Sequence, residues 1–106
     1  MRRVENVDNL AKKLSDDKVA ELLSGVPDWK RNSNKIERQF KFKNFVEALK
    51  FVNSVGGIAE EEGHHPDIMI HYNQVTLSLY THVVGGLTEN DFNLAQKVSL
   101  NFRTDD

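Results

Sequence analysis

The sequence predicts an α+β domain in which a four-stranded antiparallel sheet carries helices packed on one face. Apolar residues recur at helical spacing in three segments, and two pairs of alternating segments flank short turn-rich clusters. The resulting order is α-β-β-α-β-β-α in a single domain. Such an order suits a sheet covered on one side, with its other face solvated or in use.

Residues 1–13 carry Val4, Val7 and Ala11 at spacings that allow a turn or two of helix, and they read as a loosely attached extension to a domain spanning 14–106. From Leu14 the signals sharpen. Ser15 suits an N-cap, with Leu14 and Val19 placed as a hydrophobic staple around it. The first helix then runs from Asp16 to Ser24 and stops at Gly25, ahead of Pro27.

Trp29–Arg31 and Ile36–Phe42 lie either side of Asn32-Ser33-Asn34 and make the first hairpin. Ile36, Phe40 and Phe42 share its inner face, against Glu37, Gln39 and Lys41 outside. At Asn44 the period changes. Phe45, Ala48, Leu49, Val52 and Ala59 fall on one helical face, giving a second helix from Phe45 to Glu62 with Gly63 as its C-cap. Gly56-Gly57 weakens its middle by up to about 1 kcal/mol per glycine relative to alanine.

Asp67–Tyr72 and Gln74–Val84 form the second hairpin around Asn73. Val75, Leu77, Leu79 and Val83 alternate there with Thr76, Ser78, Tyr80 and His82, which puts His82 on the polar face of a strand. Thr88 and Asp91 then make an acidic capping box ahead of Phe92, Leu94, Ala95, Val98 and Phe102, the third helix.

The 106 residues suit one domain, and 39% hydrophobic with 28% charged residues is globular composition. A net charge of -2 excludes a general attraction for nucleic acid or acidic membrane. The absence of cysteine excludes disulfides, thiolate metal ligands and cysteine nucleophiles. Met1-Arg2-Arg3-Val4-Glu5-Asn6 lacks the apolar run of a signal peptide, and no stretch approaches the roughly 18 apolar residues of a membrane span. The expectation is a soluble, cytoplasmic protein.

Chemistry concentrates in Glu60-Glu61-Glu62-Gly63-His64-His65-Pro66. Two imidazoles follow a helix end whose carbonyls carry negative partial charge, and Glu60 lies one turn before His64 on the same side. Pro66 restricts the backbone behind the pair. Histidine exchanges protons near neutrality, so the functional reading is a proton-handling site, with surface histidines after a helix as the bland one. A metal held by His64, His65, His71 and His82 is disfavoured, because adjacent histidines rarely converge on one ion and no H-E-x-x-H or comparable spacing is present. His71 reads as a solvated strand residue. Gly85-Gly86 fits no phosphate-loop pattern, and Lys12-Lys13 and Lys41–Lys43 lack the interleaved aromatics of a nucleic-acid surface.

The spacing of Glu60, His64-His65-Pro66, Tyr72, His82 and Asp91 resembles the signature of the pterin-4a-carbinolamine dehydratases. The likeness runs from Leu14-Ser15 through the third helix and takes in Pro27-Asp28-Trp29, Phe40-Lys41-Phe42, Tyr72-Asn73, Thr81-His82 and Gly86-Leu87-Thr88. The resemblance implies dehydration of a 4a-hydroxy-tetrahydropterin to the quinonoid dihydropterin, in recycling the cofactor of aromatic amino acid hydroxylases, without metal or organic cofactor. It implies His64 and His82 in proton transfer and His65 in binding and orienting the pterin. Glu60 would orient or charge-stabilise an imidazole, and Pro66, Thr81 and Asp91 would help form the substrate pocket.

Two positions depart from the family pattern: Gly63 stands where some relatives have aspartate, and Ile68 replaces an aromatic of animal members. A non-catalytic pterin-binding or protein-association module of the same fold is the alternative, and retention of Glu60 and all three histidines argues for the enzyme. Association into a homodimer or homotetramer is also expected, since sheet edges leave unpaired backbone groups. The inner-face residues Ile36, Phe40, Phe42, Val75, Leu77 and Leu79, with three apolar helix faces, would exceed what so small a core conceals.

Overall fold

The computed structural model describes residues 12–102. Helix α1 (Asp16–Leu23) is followed by strands β1 (Lys30–Asn32) and β2 (Lys35–Lys41) and by helix α2 (Phe45–Glu62). Strands β3 (Asp67–His71) and β4 (Gln74–Leu79) and helix α3 (Glu89–Asn101) complete the domain. The α+β order expected from the sequence is present. Most of the proposed extension, residues 1–11, lies outside the described residues.

Every strand pairing is antiparallel, in the order β1-β2-β4-β3, so the two hairpins meet through β2 and β4 while β1 and β3 form the edges. Val75, Leu77, Leu79, Ile36 and Phe40 turn to the covered face and are buried together with Ala48, Phe51 and Val55 of α2 and Leu94, Ala95 and Val98 of α3. The Phe51 ring sits 4.5 Å from Phe40 and 4.7 Å from Phe102, centroid to centroid. Full burial of such side chains is worth about 1.5–3 kcal/mol each, which makes this layer the main source of stability.

Capping fixes where the helices begin and end. The Ser15 side chain accepts from the Lys18 N–H at 3.2 Å, and Leu14 packs on the core beside it. Asn44 caps α2 through the Glu47 N–H at 2.9 Å. The helix continues through Gly56-Gly57 and ends at Gly63, which adopts the left-handed conformation at φ 67°. Lys97 of α3 reaches Glu62 in the last turn of α2 at 2.8 Å, and that hydrogen bond, with the charge of Glu62, raises the lysine above its usual range.

Three expectations need correction. β4 ends at Leu79, not at Val84, because its neighbours run out: Ile36 of β2 pairs with Leu79 and Asp67 of β3 with Ser78. Beyond Tyr80 the chain turns back on itself, pairing Thr81 with Gly86, and Val83 is exposed rather than inward. Second, the inner face of β2 contains Arg38 between Ile36 and Phe40. Its guanidinium lies 4.2 Å above the Phe40 ring and reaches Asp28 at 3.6 Å and Ser99 at 3.3 Å.

The third correction concerns surplus apolar surface. Ile36, Phe40, Val75, Leu77 and Leu79 are buried within one chain, and Phe42 is half-buried. The apolar groups left exposed are others, among them Ile68, Met69 and Ile70 on β3 and Phe45, Val46 and Leu49 on α2. Ile68 and Ile70 stand opposite Leu77 and Val75, hence on the covered side of the sheet, at its β3 edge. Smaller shifts affect the first hairpin, where β1 begins one residue later than expected and Ser33 takes a positive φ of 59°.

Candidate active site

Gly63 decides how the two adjacent histidines part. Its left-handed backbone swings the chain off the α2 axis, while the His64 N–H still closes on the Ala59 carbonyl at 3.2 Å. His64 then turns inward and His65 outward. The His64 side chain is 13% exposed, and its Nε2 lies 2.5 Å from Oδ1 of Asp91, which is fully buried in the first turn of α3. The His65 side chain is 62% exposed, and its Nε2 lies 2.6 Å from Oε2 of Glu60. Sequence spacing put Glu60 beside His64; the turn at Gly63 gives it to His65 instead.

Asp91 is at once a cap and a holder of His64. Its Oδ2 accepts from the Thr88 N–H at 2.9 Å, completing the capping box, and from the Thr81 hydroxyl at 2.8 Å. Thr81 and Thr88 also contact each other, Oγ1 to Oγ1, at 2.9 Å. Thr81 is fixed by its backbone pairing with Gly86, its N–H donating to the Gly86 carbonyl at 2.9 Å. His64, Asp91, Thr81 and Thr88 therefore form one connected polar cluster. Each member has a partner, as buried polar groups require.

His82 follows Thr81 in the turn rather than on a strand, where it is exposed and packs edge-to-face on Tyr80 at 4.7 Å between ring centroids. The Thr81–Asp91 hydrogen bond thus ties the segment carrying His82 to His64. Pro66 is half-buried between His65 and β3. His71 is exposed on β3, opposite Gln74. Among the described residues, no group of three His, Cys, Asp or Glu side chains could hold a metal ion.

Two contacts around this cluster were not read from the sequence. Thr88 reads there as a helix cap only, although its buried hydroxyl also contacts that of Thr81. Lys13, assigned to the loose extension, lays its aliphatic stem across Gly86, so close that a Cβ on that glycine would meet the lysine Cε at 2.7 Å. A cavity of about 400 Å³ lies between α1 and α3, lined by Leu22, Val26, Phe92 and Gln96, and none of the histidines borders it. Of the chemistry-bearing groups, His65 and His82 are exposed, while His64 is largely covered and Asp91 is buried.

The arrangement comprises an imidazole held by a buried carboxylate, a second paired with an exposed carboxylate and a third on the turn that Thr81 ties to Asp91, and imidazoles are groups that donate and accept protons near neutrality. Comparison with known proteins bears on their use. The family described as Pterin 4 alpha carbinolamine dehydratase matches residues 12–100. A protein of Picosynechococcus named, by inference, a pterin-4-alpha-carbinolamine dehydratase is 52% identical over 86 residues, covering 81% of this chain and 94% of that protein. One of Sulfolobus acidocaldarius, named in the same way, is 44% identical over 87 residues, covering 82% and 96%.

Among solved structures, a transcriptional coactivator/pterin dehydratase from Brucella melitensis superposes with a TM-score of 0.79 at 33% identity, covering 84% of this chain and 97% of that one. A pterin dehydratase-like protein identified as a RuBisCO assembly factor in the alpha-carboxysome has a TM-score of 0.55 at 20% identity, covering 68% and 83%, a likeness of fold alone.

Proposed function

Because this chain belongs to the pterin-4-alpha-carbinolamine dehydratase family, we propose that it dehydrates a 4a-hydroxy-tetrahydropterin to the quinonoid dihydropterin and water. The observation that carries the reading is the 2.5 Å pairing of His64 with the buried Asp91. A module used only for association would need no imidazole held in this way.

The chemistry divides into two proton movements. The bond from C4a to its hydroxyl breaks as an imidazolium gives the oxygen a proton, so that it leaves as water. The neighbouring ring nitrogen loses its proton to a second, neutral imidazole, and the electron pair freed there forms the carbon–nitrogen double bond. His64 and His82 carry these transfers. His65, steadied by Glu60, binds and orients the pterin, while Pro66 borders the surface around it and the buried Thr81 and Asp91 act on it through His64. No metal or organic cofactor takes part.

The reaction suits recycling of a tetrahydropterin after its use by a hydroxylase, in the cytoplasm. The working form is a homodimer or homotetramer, a reading supported by the exposed Ile68, Met69 and Ile70 on edge strand β3. The test is direct: purified protein is mixed with freshly generated 4a-hydroxy-tetrahydropterin, and formation of the quinonoid product is followed by absorbance. Acceleration over the buffer rate is expected; a rate equal to buffer at micromolar protein overturns the reading.

A further inference from the structure

Hydrogen counting around Asp91 gives the polar cluster a direction. Thr81 donates its one hydroxyl hydrogen to Asp91 Oδ2 at 2.8 Å, so in its 2.9 Å contact with Thr88 it can only accept. Thr88 is therefore the donor there, and its oxygen in turn accepts from the Asn90 N–H at 3.2 Å. The chain runs one way: Asn90 N–H to Thr88, Thr88 to Thr81, Thr81 to Asp91. With the Thr88 N–H also on Oδ2, that oxygen is fully engaged, and Oδ1 is left to accept from His64 Nε2.

We propose that Thr88 is a positioning residue for His64, acting through Thr81 and Asp91 to keep the imidazole hydrogen on Nε2. Nδ1 is then the ring atom that gives and takes the proton during turnover. Thr88 is 0% exposed and Thr81 8%, so no water competes for either hydroxyl, and each bond in the chain strengthens the next. Without the Thr88 hydrogen, the Thr81 hydroxyl keeps Asp91 as its acceptor but loses the orientation and polarisation that Thr88 gives it. Asp91 then holds His64 less firmly, and the alternative tautomer with hydrogen on Nδ1 gains population. The inference rests on the dehydratase reading only for what His64 does to the substrate.

The experiment compares the native protein with Thr88→Val, Thr88→Ser and Thr81→Val by the nitrogen-15 shifts of the His64 ring and by the pH profile of kcat. The native ring is expected to show a protonated Nε2 and a bare Nδ1 when neutral. In Thr88→Val the two shifts should move toward each other and kcat should fall about tenfold at little-changed KM, less than the roughly 10²–10⁴-fold supplied by an acid–base group itself. Thr88→Ser should restore both. Thr81→Val removes the middle of the same chain while leaving the two cap hydrogen bonds, Asn90 N–H to Thr88 and Thr88 N–H to Asp91, in place; it should reproduce the loss, so it carries the test if Thr88→Val does not fold.

A native His64 protonated on Nδ1, or unchanged ring shifts in a folded Thr88→Val or Thr81→Val, overturns the proposal. Lower activity with unchanged shifts counts against it too, as a purely structural effect. The ring shifts are read without substrate, so failure of the dehydratase assay and failure of this inference are separate results.

Discussion

Oδ1 of Asp91 stands 2.5 Å from Nε2 of His64, joining the first turn of α3 to the residue just past the end of α2. Asp91→Asn keeps the size of the side chain and the acceptor facing Thr81 but weakens the hold on an imidazolium. The expected result is a kcat lower by about ten- to a hundredfold, short of the full effect of an acid–base group. A variant with native kcat and native circular dichroism would show that the pairing serves the fold alone.

His64→Ala and His82→Ala should each lower the dehydration rate by about ten- to a thousandfold, around the lower part of the usual range for acid–base groups. His82 is exposed, so its variant should melt like the native protein. For His65→Ala the main defect should be a raised KM. A collapsed kcat at unchanged KM would mean that His65 moves a proton and one of the other two binds.

Exhaustive chelation should leave turnover intact, since neither the sequence spacing nor the geometry of the described residues offers three ligands to one ion. The measurement is the rate before and after dialysis against chelator. Loss that returns on adding zinc or another divalent ion would reverse the assignment.

Sedimentation equilibrium at micromolar concentration should give a dimer or tetramer. Ile70→Lys, placed on the exposed β3 edge, should shift the distribution toward the 12.1 kDa monomer. A single monomeric species for the native chain would exclude association through this edge.

Arg38→Met should cost less than about 1.5 kcal/mol in urea unfolding, because methionine can fill much of the space over Phe40, whereas Arg38→Ala should cost about 2–4 kcal/mol through lost packing. Equal losses in both variants would assign the stability to the charge and its contacts with Asp28 and Ser99 instead.

The element order was legible because local signals agreed with one another. Asn44 and Gly63 mark the two ends of α2, and Ser15 and Thr88 start the helices that the spacing of Val19 and of Leu94, Ala95 and Val98 requires. What failed depended on partners distant in the chain. Val83 continues the alternation of β4, yet a strand stops where its neighbours stop, and the ends of β2 and β3 are not written in residues 80–84. Arg38 breaks the inward pattern because Phe40, Asp28 and Ser99 make a charged group acceptable there. In the candidate site, the sequence singled out the histidines but not their partners: Glu60 precedes His64 by one helical turn but meets His65, since the intervening Gly63 leaves the helical path.

That backbone geometry bears on how position 63 can vary. Among residues with a side chain, aspartate and asparagine are the ones that enter the left-handed region readily. An aspartate at position 63 would therefore be expected to alter charge beside the histidines more than their directions. A β-branched residue would resist φ 67° and draw the following segment back toward the helix axis, disturbing the inward path of His64 and the outward path of His65 together. The first demand on any residue at this position is thus the left-handed backbone that parts the two imidazoles.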